Sequence, residues 1–364
     1  MIKKLHLYII REFFGCFIFG MAVFSILLVL NFVFDLVDLF LSKGVTFFLV
    51  LKLFAFYILN ILTLSIPMAV LFGVLVAYGR LSADNEITAM KSSGLSYYTL
   101  TIPVIVLIFI ISFFLLFFNH FLAPAINTHF KSFFEEVIMK KPLIKFNAKS
   151  VIDLGEYRLY ANKVNNKDNT LLGVSIYKFE NKDDKDTWRI AASSGIVKVC
   201  ENGVQFTLHN GYWQKAHSAS IKNMIHMTFK NYVFFIPINK VIKEHNLTAP
   251  EITSPALLKI IERSKKENLP IILYECNFWG RWTFAFAPLA FVLVALPIAI
   301  MAGKNGKGIG FVMSLAIILV YYTLFILARN LAENGYAPIR IIVWLPNFLI
   351  TTVGICLFIK MRKK

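Results

Sequence analysis

Few residues in this chain have the types and spacing that chemistry requires. Histidines at positions 120, 129, 209, 217, 226 and 245 are scattered without metal-ligand spacing, and no Ser–His–Asp or paired-carboxylate set assembles around them. A strand or surface role suits each. Cysteines fall at Cys16, Cys200, Cys276 and Cys356 with no CxxC spacing, which leaves neither a disulfide framework nor a zinc site to expect. Gly303-Lys304-Asn305-Gly306-Lys307-Gly308 has the glycines and lysines of a phosphate loop, but not the G-x-x-x-x-G-K-[ST] order, and it follows an apolar run instead of a strand. A basic turn explains it. The expectation is a chain without cofactor, metal or catalytic residues of its own.

Two groups of charged residues stand out. Arg281 lies inside an apolar run with Glu275 six residues earlier, and a guanidinium facing lipid is expensive. It either snorkels to an interface or contacts a polar head group. The second is Gly79-Arg80-Leu81-Ser82-Ala83-Asp84-Asn85-Glu86-Ile87-Thr88-Ala89-Met90-Lys91-Ser92-Ser93-Gly94-Leu95, which reads as a short amphipathic helix over about 81–93. Ser82 can cap it, Asp84 and Glu86 suit the positive end of its dipole, and Gly94 can form a left-handed stop. Ile87 and Met90 are available for packing. A plain connector would need far less, so the segment suits either an interfacial helix or a docking knob for a partner.

The elements around these residues are mostly apolar. Of the 364 residues, 57% are hydrophobic, and runs long enough to cross a bilayer lie near 12–34, 53–79, 97–122, 278–302, 308–328 and 340–359. The first is too long, and lacks the cleavage site, for a signal peptide. The net charge of +17 could suggest nucleic acid, but the cations flank apolar runs or are diluted by acids, so no nucleic-acid partner is expected. Lys3, Lys4, Arg11, Arg80, Lys91, Lys304, Lys307, Lys360, Arg362, Lys363 and Lys364 fall on one side of the spans. Lys43, Lys52, Arg329 and Arg340 fall in short loops on the other. The positive-inside rule then places both termini in the cytoplasm and residues 124–270 outside.

Residues 124–270 read as all β. Alternating runs recur at Val151–Leu154, Arg158–Ala161, Val174–Phe179, Arg189–Ala192, Ile196–Val199, Val204–Leu208, Tyr212–Gln214 and Ile225–Phe229, with turn signals at Glu201-Asn202-Gly203 and Asn210-Gly211. Many short strands suggest a sandwich, jelly roll or barrel. Ile176, Ile190, Val197 and Phe206 should share its interior. A short helix, capped by Ser254 with Pro255 at its first position, leads back to the membrane. The expected fold is therefore six transmembrane helices, three in 1–123 and three in 271–364, around an inserted all-β domain.

The loop Gly79–Met90 with Ser93-Gly94-Leu95-Ser96 resembles the signature of the LptF/LptG permeases of lipopolysaccharide export. So do Arg281-Trp282-Thr283-Phe284-Ala285-Phe286-Ala287-Pro288-Leu289, Leu296-Pro297-Ile298, Tyr321-Tyr322 and Trp344-Leu345-Pro346-Asn347, while Gly173-Val174-Ser175-Ile176-Tyr177 is similar to a strand of that family's periplasmic domain. The resemblance implies a multi-pass inner-membrane subunit with a periplasmic β-jellyroll. It implies as partners a homologous second permease, a cytosolic dimeric ABC ATPase of the LptB type that binds the ATP, bridge proteins of the LptC/LptA type, and lipopolysaccharide as cargo. Glu86 matches the loop-helix glutamate that enters a groove of the ATPase, with Arg80, Asp84, Ile87 and Met90 around it. Lys43, Lys52, Arg281 and Arg329 become candidates for the lipid head group, and Ile176, Ile190, Val197 and Phe206 for the acyl path. The lysine cluster of the G-type member is absent here, where Asp35 and Asp38 precede Lys43; the residues Glu86-Ile87-Thr88-Ala89-Met90 lean toward the F-type. A mechanotransmitting subunit of another envelope ABC system is the alternative, although such subunits usually have four spans. A membrane-tethered enzyme would need a titratable constellation that is not visible.

The topology is testable by cysteine labelling from outside on a cysteine-free background. Position 183 should react and position 305 should not; the reverse pattern would invert the chain.

Overall fold

A computed structural model describes residues 2–41, 45–140, 151–153, 157–165, 170–178, 186–200, 203–217, 225–237, 249–267, 271–303, 306–336 and 338–362. Contacts divide the chain into two compact units, one of residues 1–31, 56–128 and 247–364, the other of 32–55 and 129–246. The helices in chain order are α1 (Ile2–Leu41), α2 (Phe47–Ala83), α3 (Glu86–Ser92), α4 (Tyr97–Phe117), α5 (Ala123–Lys140), α6 (Ser254–Lys266), α7 (Ile272–Met301), α8 (Gly306–Glu333), α9 (Ile339–Ile342) and α10 (Leu345–Arg362). A π-helical turn, Phe118–Leu122, joins α4 to α5. Among the described residues six stretches are long and apolar enough to cross a membrane: Lys3–Leu30, Phe47–Ala83, Tyr97–Phe134, Ile272–Met301, Gly310–Glu333 and Ile339–Met361. These are the expected six.

The first unit is a helical bundle centred on α7, which packs against α4 and α10. Close approach needs small residues, because helices in lipid gain from direct van der Waals contact. A Cβ on Gly354 of α10 would lie 2.7 Å from the Leu293 carbonyl carbon of α7, so only glycine lets these backbones meet. Some polar side chains in the bundle bond across helices. Tyr321 Oη donates to Asn347 Oδ1 at 3.0 Å, and Asn347 Nδ2 donates to the Thr283 carbonyl at 2.9 Å, which ties α8, α10 and α7 together. Tyr78 Oη likewise donates to Leu100 O at 2.7 Å.

The third span runs on past its expected end. Residues 124–140, assigned from the sequence to the β domain, are helical, and they continue α4 through the π-helical turn without a break, so that Pro124 lies inside a continuous helix. In the second unit Phe130, Phe133 and Phe134 of α5 pack with Phe32 and Leu36 of α1 and Leu53 of α2.

Among the described residues the all-β domain is one antiparallel sheet of six strands in sequential order: β1 (Val151–Asp153), β2 (Tyr157–Asn165), β3 (Thr170–Lys178), β4 (Asp186–Cys200), β5 (Gly203–His217) and β6 (Ile225–Pro237). Among the described residues the connectivity is that of a meander. The sheet curls on its apolar face, since Tyr157 of β2 and Trp188 of β4 reach Phe234 of β6, with ring centroids 5.5 and 5.3 Å apart. The strands are fewer and longer than the sequence suggests. Arg189–Ala192 and Ile196–Val199 belong to the single strand β4, and Val204–Leu208 and Tyr212–Gln214 to β5. Cys200 pairs with Gly203, so β4 and β5 are antiparallel neighbours there; Glu201 and Asn202 of the expected turn lie outside the described residues. Leu154 and Phe179 lie outside the described residues.

Asn210-Gly211 is not a hairpin turn. Asn210 has the left-handed backbone that such a turn uses, with φ of 49°, yet the strand continues through it. The register explains why. Asn162, Gly173, Ser193, Asn210 and Lys230 fall in one row across β2 to β6. Gly173 is also left-handed, with φ of 63°. At this row the buried face changes phase in every long strand: Ile190 and Ala192 before it give way to Gly195 and Val197 after it, and in β3 Leu171 gives way to Val174 and Ile176. A transverse crease thus runs across the sheet without changing its register.

Candidate functional site

The coupling segment departs from expectation in its first half. α2 continues to Ala83, and Ser82 does not cap the next helix; its Oγ donates to the Ile300 carbonyl of α7 at 2.9 Å. The short helix α3 instead starts at Glu86, after Asn85 in left-handed conformation with φ of 60° and no side-chain cap bond. Its far end closes as the sequence implies. Gly94, with φ of 87°, lets its own N–H reach Lys91 O and the Leu95 N–H reach Met90 O.

α3 is braced against the bundle. Ile87 is buried, Met90 packs on the core, and Lys91 Nζ donates to Tyr97 Oη at 2.7 Å. Glu86 accepts a hydrogen bond from Tyr8 Oη at 2.8 Å, and Arg80 forms an ion pair with Glu12. Asp84 is exposed in the break between α2 and α3. The five coupling candidates therefore share one elbow: Ile87 and Met90 hold it to the bundle, whereas Glu86 and Arg80 engage α1. Tyr8 and Glu12 were not legible as members of this group. Their one signal is a spacing of four, which places them on one face of α1.

The head-group candidates have separate surroundings. Lys43 lies outside the described residues. Lys52, in the second unit, sits over the Phe133 ring at 4.2 Å. Arg281 and Arg329 line one cavity of about 200 Å³ together with Asn60, Asn119 and Asn127. Arg329 is bound to Glu333 at 2.7 Å. Arg281 does not meet Glu275, which pairs with Lys265 at 2.9 Å. Its guanidinium donates to Ser254 Oγ at 2.7 Å, Ile252 O at 2.8 Å and Ala249 O at 3.0 Å. Ser254 is accordingly not the cap of α6, which is preceded by Thr253. Arg281 fastens the 3-10 turn Ala249–Glu251 to α7, where the chain returns to the bundle.

The π-helical turn borders the same region. It carries Asn119 and His120 inward, both buried, and His120 lies against Trp282 with ring centroids 5.0 Å apart. His120 therefore has an interior setting that its scattered position did not indicate. Among the described residues no group of His, Cys, Asp or Glu could hold a metal ion.

The four acyl-path candidates face one interior. Ile176 pairs with Ile190 on one side of the crease and Val197 with Phe206 on the other, and each is at most 1% exposed.

A family model, Lipopolysaccharide export system permease LptF/LptG, matches residues 7–360. A comparison with curated proteins found no match.

Arg281→Met should destabilise the chain by about 2–4 kcal/mol, because two backbone carbonyls and a serine lose a charged donor. Thermal unfolding in detergent and protease sensitivity near Ala249–Ser254 measure this. Unchanged stability with weakened lipid binding would instead place Arg281 at the head group.

Proposed function

The chain belongs to the LptF/LptG family of lipopolysaccharide export permeases, and on that premise we propose that it draws lipopolysaccharide out of the inner membrane and delivers it along its β domain, powered by a cytosolic dimeric ATPase. The carrying observation is the braced elbow, where a short helix begins with an acid at the junction of two spans. Exposing an acylated lipid costs about 0.8 kcal/mol per methylene, or tens of kcal/mol for several chains. Two things are then needed, a shielded path and an energy source.

The ATPase supplies the energy. Glu86, at the end of the bundle favoured as cytoplasmic by its excess of Lys and Arg, accepts charge-assisted hydrogen bonds from a groove of the ATPase, which binds the ATP. Asp84 lies beside it, and Arg80, Ile87 and Met90 hold the elbow in place. A homologous permease completes the membrane unit.

The β domain supplies the path. Its apolar face, with Ile176, Ile190, Val197 and Phe206, packs on itself in the isolated chain. Acyl chains enter by parting that face. In this reading Lys43, Lys52 and Arg329 meet head-group phosphates, while Arg281 serves the chain's own carbonyls. β6 pairs only with β5 among the described strands and exposes Ile225, Met227, Val233 and Phe235. An edge of that kind can be extended by a periplasmic bridge protein of similar β structure.

Glu86→Ala should leave expression and membrane insertion intact but weaken ATPase docking by roughly ten- to a hundredfold, the equivalent of one charge-assisted contact. Copurification and lipid release read the effect, and unchanged values for both Glu86→Ala and Glu86→Lys would sink the assignment. Photo-crosslinkers at Ile176, Ile190, Val197 and Phe206 should capture lipid during turnover. Protein-only adducts at all four would reduce these residues to an ordinary core.

A further inference from the structure

We propose that Tyr8 is a positioning residue for coupling: it sets the Glu86 carboxylate for the ATPase and carries the docking event into α1. This rests on the reading of Glu86 as the acid that the ATPase grips.

Three observations carry it. α3 does little to fix its own first side chain, since it has seven residues, a left-handed residue before it and no side-chain cap. The Tyr8 hydroxyl, 78 residues away in sequence, fixes it instead by donating to Oε2 at 2.8 Å. The Tyr8 ring is half-buried and packs against the bundle core, which anchors the hydroxyl to the bundle.

A carboxylate accepts about four hydrogen bonds across its two oxygens. Tyr8 therefore leaves room for a guanidinium or ammonium on the same group, and a side chain already held in place loses less freedom when a partner arrives. The second link reinforces the first. Arg80, just before the elbow, pairs with Glu12, one turn along α1 from Tyr8. α1 thus grips the elbow at two successive turns. A load on α3 passes to α1 through the Tyr8–Glu86 bond, the Arg80–Glu12 pair ties the end of α2 to the same helix, and any shift of α1 changes the pose that Glu86 offers. Such coupling is reciprocal.

A double-mutant cycle on the full chain in nanodiscs tests this, with the dissociation constant of the purified cytosolic ATPase as readout. Tyr8→Phe removes one oxygen and keeps the ring, and an unchanged melting temperature would verify that packing survives. It should weaken docking three- to tenfold when Glu86 is present and have no effect in the Glu86→Ala background. Tyr8→Gln, which returns a donor, should recover part of the loss. Equal effects of Tyr8→Phe in both backgrounds, or none in either while Glu86→Ala still weakens docking, would overturn the role of Tyr8 and leave the coupling reading standing. If Glu86→Ala itself leaves docking unchanged, the coupling reading falls, and the role of Tyr8 falls with it.

Discussion

Hydrocarbon offers no hydrogen bonds, and most of this molecule follows from that. Each backbone group inside the bilayer must be satisfied within its own segment, so the spans are helices and nearly all polar side chains lie at their ends. Some of the exceptions are bonded across helices, whereas Ser65 and Ser112 are buried without a partner for their hydroxyls. Tyr321, Asn347 and the Thr283 carbonyl form a chain across α8, α10 and α7, and Ser82 reaches a carbonyl of α7. Where the polypeptide comes back from the β domain, a 3-10 turn presents carbonyls with no helical partner, and Arg281 supplies the donors. A residue that looked costly in the sequence is there because something else would otherwise be unsatisfied.

The same constraint separates the two tasks of the proposed transport cycle. In that proposal, energy arrives at one end through the α3 elbow. A sheet with one apolar face can shelter acyl chains in an aqueous compartment but has no means of driving them. α1 is the element that engages the elbow directly, through Tyr8 and Glu12. Its 40 residues extend about 60 Å, twice the hydrocarbon thickness of about 30 Å.

The spans were legible because crossing a bilayer requires some twenty apolar residues in succession, a signal that local context does not disguise. Gly94 was legible for a similar reason, as left-handed backbone is strained for nearly every other residue. The errors came from signals with two meanings. Asn210-Gly211 has the composition of a hairpin turn, and Asn210 does take the backbone of one, but pairing on both sides keeps the strand going. Ser82 and Ser254 are good cap residues that instead bond to Ile300 and Arg281, partners far away in sequence. Tyr8 with Glu86 was out of reach for the same reason, since nothing local in either residue marks a contact 78 positions away.

The crease across the sheet has a consequence for how this domain can change over time. Because the buried face shifts phase at the same row in every long strand, each strand is two half-strands whose inward positions are counted from a common line. A residue gained or lost on one side of Gly173 or Asn210 would turn that half-strand inside out while its neighbours stayed correct. Length variation should therefore accumulate in the hairpins and be purged from the strands. The distances from the crease to the buried positions would then persist among descendants even after the side chains at those positions have been exchanged.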